Sequence, residues 1–278
     1  MRSLTCLALT VALAGCGSLT DVMKSAPRPS ARVVGANLQG LTLEHVEVIF
    51  DVEVTNPYPA NLPLLDLSYA LASNGQQIVA GGVKPSSGIA ARSSKVLQIP
   101  ASIRFSSLIA MIKGVRPGSV VPYTADFKIG LDAPVIGLIT LPLSHQGEVP
   151  IPAVPEVSLS SFDVGALSFD KVDAVARVRI KNTNQFDVDI ARLGFNLALG
   201  GQPVAGTNVT NGGKIPPGQE GTLAIPITFS PRDFGVALFN VLRGSESGYA
   251  VSGLIESDTR FGALKLPFDR KGSTHIVR

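Results

Sequence analysis

The chain holds 278 residues, 45% apolar and 16% charged, with 28 Gly, 20 Pro and no Trp. That composition excludes a mostly disordered chain, and a net charge of +3 without a long basic block argues against a nucleic-acid partner. Two Cys and three His leave little room for a metal site or a disulfide scaffold.

Residues 1–15 read as a lipoprotein signal peptide. Arg2 supplies the positive start, and Leu4–Leu13 is apolar apart from Thr5 and Thr10. That run is about half the ~20 apolar residues a membrane span needs. Leu13, Ala14 and Gly15 before Cys16 resemble a bacterial lipobox. The resemblance implies cleavage before Cys16 and acylation of its thiol and amine. Cys6 leaves with the signal, so the mature chain forms no disulfide, and no cofactor is expected beyond the lipid on Cys16. The expected partners are a lipid bilayer, held through the acylated N-terminus, and unidentified envelope proteins or lipids. Gly17 after the Cys favours the outer membrane, facing the periplasm, if the host is Gram-negative. Residues 16–30, with Pro27 and Pro29, are expected to form a lipidated tether spanning about 20 Å.

The remainder contains an internal repeat. Val46–Asn56 and Val172–Asn182 both alternate with period 2 and end in Asn. Leu67–Leu71 matches Leu193–Leu197, Val79-Ala80-Gly81 matches Val204-Ala205-Gly206, and Val96–Pro100 matches Thr222–Pro226. Tyr123 aligns with Tyr249 and Gly147 with Gly272, always 125 or 126 residues on. Two domains are therefore expected, at 31–147 and 157–275. A Pro-rich linker is expected at 148–156 and a tail at 276–278.

Within each unit, short strands are separated by Gly, Asn and Pro. Val46, Val48, Phe50, Val52 and Val54 should face a core, with His45, Glu47, Ile49, Asp51 and Glu53 on the other face. Asn74-Gly75 and Gly200-Gly201 suit hairpin turns needing positive φ. One short helix is expected per unit. The first is Ser106–Lys113. The second opens at Pro231-Arg232-Asp233, carries Phe234, Leu238, Val241 and Leu242 as its stripe, and stops at Gly244. The fold class is all-β: two tandem immunoglobulin/fibronectin-III-like β-sandwich domains.

The series Val54-Thr55-Asn56-Pro57-Tyr58, Leu65–Leu71, Asn74-Gly75, Val79-Ala80-Gly81 and Ile99–Ile103, present twice, resembles the late embryogenesis abundant type 2 domain, also called the water stress and hypersensitive response (WHy) domain. The second copy departs from the pattern at Thr183, Asn184 and Gln185. The resemblance implies seven-stranded sandwiches with one helix and an association with desiccation and other stress tolerance. It supplies no catalytic residues. At the Asn-Pro corner, Pro57 ends the strand and Asn56 can bond its own backbone two residues on.

Chemistry is sparse. His45, His145 and His275 lie far apart in sequence. His45, Glu47 and Asp51 could share a strand face, which reads as a solvated surface and not as a metal site. Gly244–Gly248 lacks the central Ser of a nucleophile elbow, Gly213-Lys214 is not a Walker loop, and Asn208-Val209-Thr210 forms a glycosylation sequon that a bacterial lipobox makes idle. One contrast stands out. The outer face of this strand is acidic in the first copy (Glu47, Asp51, Glu53) and basic in the second (Arg177, Arg179, Lys181). These faces could meet, dock a charged partner, or be solvated. The expectation is a non-enzymatic, membrane-anchored protein for stress protection that binds apolar or partly unfolded protein surfaces. Lipid transfer and a structural role in envelope assembly are the alternatives.

Overall fold

A computed structural model of the chain describes residues 27–134 and 136–278. The expected signal, lipobox and acylation residue Cys16 lie outside the described residues.

The first repeat consists of strands β1 (Ser30–Gln39), β2 (His45–Thr55), β3 (Leu64–Ser73), β4 (Gln76–Val83) and β5 (Ser94–Arg104), then helix α1 (Phe105–Met111), β6 (Val120–Ala133) and β7 (Gly137–Pro150). The second repeats the series: β8 (Glu156–Leu167), β9 (Val172–Lys181), β10 (Val188–Leu199), β11 (Gln202–Ile215) and β12 (Glu220–Phe229). A 3-10 turn at Pro231–Phe234 leads into α2 (Gly235–Arg243), followed by β13 (Glu246–Thr259) and β14 (Gly262–Val277). The helix expected at Ser106–Lys113 starts at Phe105 and stops at Met111, because Ile112 adopts an extended backbone. In the second repeat, Leu238 and Leu242 of the expected stripe are buried, with Phe234 and Val241 half-buried behind them.

Alternation dictates the core. Val46, Val48, Phe50, Val52 and Val54 are fully buried, and Val172, Ala176, Val178 and Ile180 repeat the pattern on β9. Phe50 meets Phe127 edge-to-face at 5.1 Å and Tyr123 at 6.1 Å, so residues of both sheets of the first repeat close on one cluster. The two hairpins expected from Asn74-Gly75 and Gly200-Gly201 turn with positive φ at all four residues, as a two-residue turn of matching twist demands.

Sheet order separates the repeats. The first has two sheets, β1-β2-β5 and β4-β3-β6-β7. In the second, the corresponding strands form one seven-stranded sheet, β11-β10-β13-β14-β8-β9-β12. The join is a parallel pairing of His275, Ile276 and Val277 with Ser161, Phe162 and Asp163. Ile276 N–H donates the other way, to Ser245 O at 3.0 Å, so His275 and Val277 present their donors to β8. In the first repeat Ile151 donates to Ser119 O at 2.8 Å in the same manner, but its neighbours are Pro150 and Pro152. Neither has an N–H, so the matching seam with β1 stays open. β1 accordingly buries none of its residues fully, with Ala31, Val33, Ala36 and Leu38 only partly covered, whereas β8 buries Val157, Leu159, Phe162 and Val164.

Four boundaries differ from those expected: Ser30 of the expected tether opens β1, and Glu156 of the expected linker opens β8. Residues 148–150 of the expected linker belong to β7, opposite Pro122, Val121 and Val120. The expected tail from 276 continues as β14 through Val277, because a free strand edge on β8 pairs with it.

Candidate functional site

Each repeat turns its corner around one buried Asn. Asn56, 1% exposed, accepts from Tyr58 N at 2.9 Å and donates through Nδ2 to Ala60 O, Ile89 O and Ala90 O at 2.8–3.0 Å. Asn182, fully buried, accepts from Asn184 N at 3.0 Å and donates to Phe186 O, Ile215 O and Pro216 O at 2.8–3.2 Å. Every partner recurs 126 positions on. These contacts tie the backbone carbonyls of two separate segments to one side chain at each corner, which makes both Asn residues structural, as the turn chemistry of the sequence suggests.

The departure at Thr183–Gln185 builds the junction between repeats. Gln185 N donates to Gly118 O at 2.7 Å, and Val120 N donates to Gln185 Oε1 at 2.8 Å. Asn184 binds the backbone of Ala153 through both its amide atoms. Gly118 has φ +93°, and a Cβ there would sit 2.6 Å from Thr183 O, so only Gly lets the two segments approach. Arg260, at the tip of the β13–β14 hairpin, pairs with Glu148 at 2.9 Å and lies 4.5 Å over the Phe261 ring. In the sequence, Thr183–Gln185 show only as a departure from the repeat pattern, since nothing local reveals that the loop's partner is 65 residues away.

Between the β1–β2 turn and that hairpin runs a mainly apolar groove of about 780 Å3, lined by Leu38, Leu41, Leu43, Ala191, Phe261 and Leu264 with Glu44, His45, Glu256, Asp258 and Lys265 at its rim. Leu41 packs against the cores of both repeats. Thr42 shapes the turn, its hydroxyl accepting from His45 N at 3.0 Å. A smaller cleft of about 500 Å3 shares Leu38, Phe261 and Gly262 and adds Asn37, Tyr123, His145 and Arg260. It lies where the first repeat's seam is open.

Asp51, Glu53 and the three basic residues of the charged faces find partners within their own repeats. Glu53 pairs with Arg32 at 2.7 Å, and Asp51 accepts from Asn37 and Gln98 at 3.2 Å. Arg177 pairs with Asp163 at 2.5 Å, Arg179 with Glu220 at 3.8 Å and Lys181 with Glu156 at 4.0 Å. The Ser161 hydroxyl, aided by Arg177, holds Asp163 below the usual carboxylate range. Such exposed pairs contribute about 0–1 kcal/mol each. His45, His145 and His275 do not converge, and among the described residues no three His, Cys, Asp or Glu side chains gather as for a metal ion. No described helix is long and apolar enough to cross a membrane.

Three tyrosines lie over glycines on neighbouring strands: Tyr69 over Gly81, Tyr123 over Gly147 and Tyr249 over Gly272. A Cβ on Gly147 would stand 2.5 Å from Tyr123 Oη. Burial pushes the Tyr123 phenol up to about 12 and raises that of Tyr69. This explains why Tyr123 and Gly147 recur together as Tyr249 and Gly272.

A family model described as late embryogenesis abundant protein matches residues 51–147 and 177–272. A desiccation protectant protein, Lea14 homolog, of Glycine max is 27% identical over 139 residues, which cover 50% of this chain and 91% of that protein. Late embryogenesis abundant protein Lea14-A of Gossypium hirsutum is 26% identical over 50% of this chain and 92% of its own length. The solution structure of a late embryogenesis abundant protein is 28% identical, with a TM-score of 0.41 over 49% of this chain and 79% of its own.

Proposed function

The chain belongs to the late embryogenesis abundant family, in two repeats, and from that premise we propose that it protects the cell envelope against desiccation and related stress. Desiccation-related relatives, each matched nearly end to end by half of this chain, support a stress-protection role; this observation carries the reading. In the finer reading, each repeat is a WHy-type, immunoglobulin-like sandwich. The protein is a non-enzymatic lipoprotein, held in the membrane through acylated Cys16, that binds apolar or partly unfolded protein surfaces without chemical turnover. The short apolar leader and Leu13–Cys16 support the anchor.

The test is a deletion strain exposed to drying and envelope stress, complemented by the natural chain and by Cys16→Ala. Loss of survival restored by the natural chain alone supports both protection and anchoring, and unchanged survival on deletion removes the role. The purified protein should slow heat aggregation of a client enzyme at near-stoichiometric amounts, relative to an inert protein. A second reading, lipid handling in envelope assembly, draws on the apolar junction groove. It requires lipid to co-purify with the Cys16→Ala chain, which extraction and mass spectrometry would reveal.

A further inference from the structure

The first repeat is open along its β4–β5 side, and the second is not. In the second repeat β11 stays paired with β10 through Ile215, and Val209 packs against the core. Across from it, a Cβ on Gly221 would sit 3.0 Å from Ile215 Cδ1, so that side is filled. In the first repeat β4 ends at Val83, and the chain regains the sheet edge only at Ile89, through an isolated bridge to Leu62. Where the chain leaves the edge, a cleft of about 370 Å3 enters between the sheets.

Its walls are apolar: Leu67 and Val83 come from one sheet, Leu97 and Ile99 from the other. Val83 is 42% exposed, although its register partner Leu67 belongs to the core. Two cations stand at this cleft. Lys95 holds the register position of Gly221, on the core-facing side of β5 with Leu97 and Ile99, and its Nζ donates to Ser87 Oγ at 2.6 Å. Lys84 follows Val83 as Thr210 follows Val209. No acidic residue lines the cleft. Among the described residues neither lysine pairs with a carboxylate. Asp66, just before Leu67 on β3, leans over Gly130 of β6 instead.

We propose that this cleft binds an anionic amphiphile, a fatty acid being the simplest, with its chain between the sheets and its head at Lys84 and Lys95. The volume falls in the range of small-molecule sites, about 300–1,000 Å3. The apolar walls suit the tail, and two cations without a carboxylate partner select the sign of the head. A carboxylate and a phosphate head share this chemistry. The junction groove has the opposite character, since Glu44, Glu256 and Asp258 outnumber His45 and Lys265 at its rim. The inference is independent of the protective role and of the anchor.

The experiment uses the chain starting at Gly17, which retains every described element and has no acylation site. Calorimetric titration below the micellar range, with octanoate, decanoate and dodecanoate, should show one site that tightens by about fourfold for each further methylene buried. Decyl phosphate beside decanoate tells a phosphate head from a carboxylate, and saturable binding of either supports the site. Decyltrimethylammonium should bind weaker by about tenfold or more, because its head meets like charges. Lys95→Met keeps the aliphatic stem and should erase most of that preference. Lys84→Thr, the residue the second repeat carries there, should reduce it, and serves alone if Lys95→Met loses its circular dichroism spectrum. Leu43→Asp, in the junction groove, should leave decanoate binding intact. Equal affinity for the cationic amphiphile overturns the proposal, and so does decanoate binding that neither lysine variant weakens. Loss of decanoate binding in a folded Leu43→Asp chain, or no binding of any anionic amphiphile at millimolar concentration, overturns it too.

Discussion

Asn184 grips Ala153 from both sides, its Oδ1 accepting from Ala153 N at 2.7 Å and its Nδ2 donating to Ala153 O at 3.1 Å. In an unstructured linker these groups would be hydrated; here one side chain fixes the segment between the repeats. Asn184→Ala should leave each repeat folded and cost about 1 kcal/mol. It should also raise the rate of proteolytic cutting between Ile151 and Pro155. Gly118→Ala should do the same more strongly, since its left-handed backbone and the nearby Thr183 carbonyl exclude a side chain. Limited proteolysis and small-angle scattering check both, and unchanged cutting would refute the clamp.

The two corner Asn residues should be costly to lose. Asn182→Ala removes the Nδ2 donor from the carbonyls of Phe186, Ile215 and Pro216, of which Pro216 O keeps Gln219 N at 3.1 Å; this should lower stability by about 2–3 kcal/mol. Asn56→Ala should cost a similar amount in the first repeat. Asn→Asp at either position should be no better, because a carboxylate cannot donate to three carbonyls. Denaturant melts of the single variants, compared with exposed Asn37→Ala, measure the difference.

The closed seam can be opened. Val277→Pro removes a donor from the β14–β8 pairing and should destabilise the second repeat by about 1–2 kcal/mol. Hydrogen exchange should then quicken at the amides of Ser161–Asp163. Ordinary protection there in the variant would show that the pairing does not depend on the Val277 donor.

Alkaline titration reads the buried tyrosines. The Tyr123 phenol titrates near 12 in the folded chain against 10.0 when unperturbed, so the folded state holds its proton longer. Its contribution to stability is complete below pH 10 and is lost as pH rises from there towards 12. With four Tyr and no Trp, near-ultraviolet tyrosinate absorbance can be followed directly. Tyr123→Phe should remove the component near 12 and flatten the fall in stability above pH 10.

Much of the architecture is written in local pattern. Alternation from Val46 to Val54 gave the buried face, and Asn74-Gly75 and Gly200-Gly201 gave their turns because positive φ is a property of a few residue types. The bond from Tyr58 N to Asn56 Oδ1 was likewise local enough to foresee. Strands β1 and β8 were missed: β1 has one exposed face and one only partly buried, with a register break between Val33 and Gly35, and β8 carries irregularities of register at Leu159/Ser161 and Val164/Ala166 that break its period. The pairing of Arg177 with Asp163 depends on how β8 lies against β9, which charge alternation alone does not convey. The junction was hidden for a similar reason: Gln185 reads as an ordinary loop residue until Gly118 is placed beside it.

The parallel join of β8 and β14 also sets an order of events. These are the first and last strands of their repeat, so β8 must wait for its neighbour until all the intervening strands have been synthesised and delivered. The first repeat, whose two sheets meet only through side chains, has no such wait. Its sheets can mature while the rest of the chain is still arriving. A chain stalled before β14 would therefore carry one finished half and one half with an unpaired edge, ready to pair with whatever strand lies nearest.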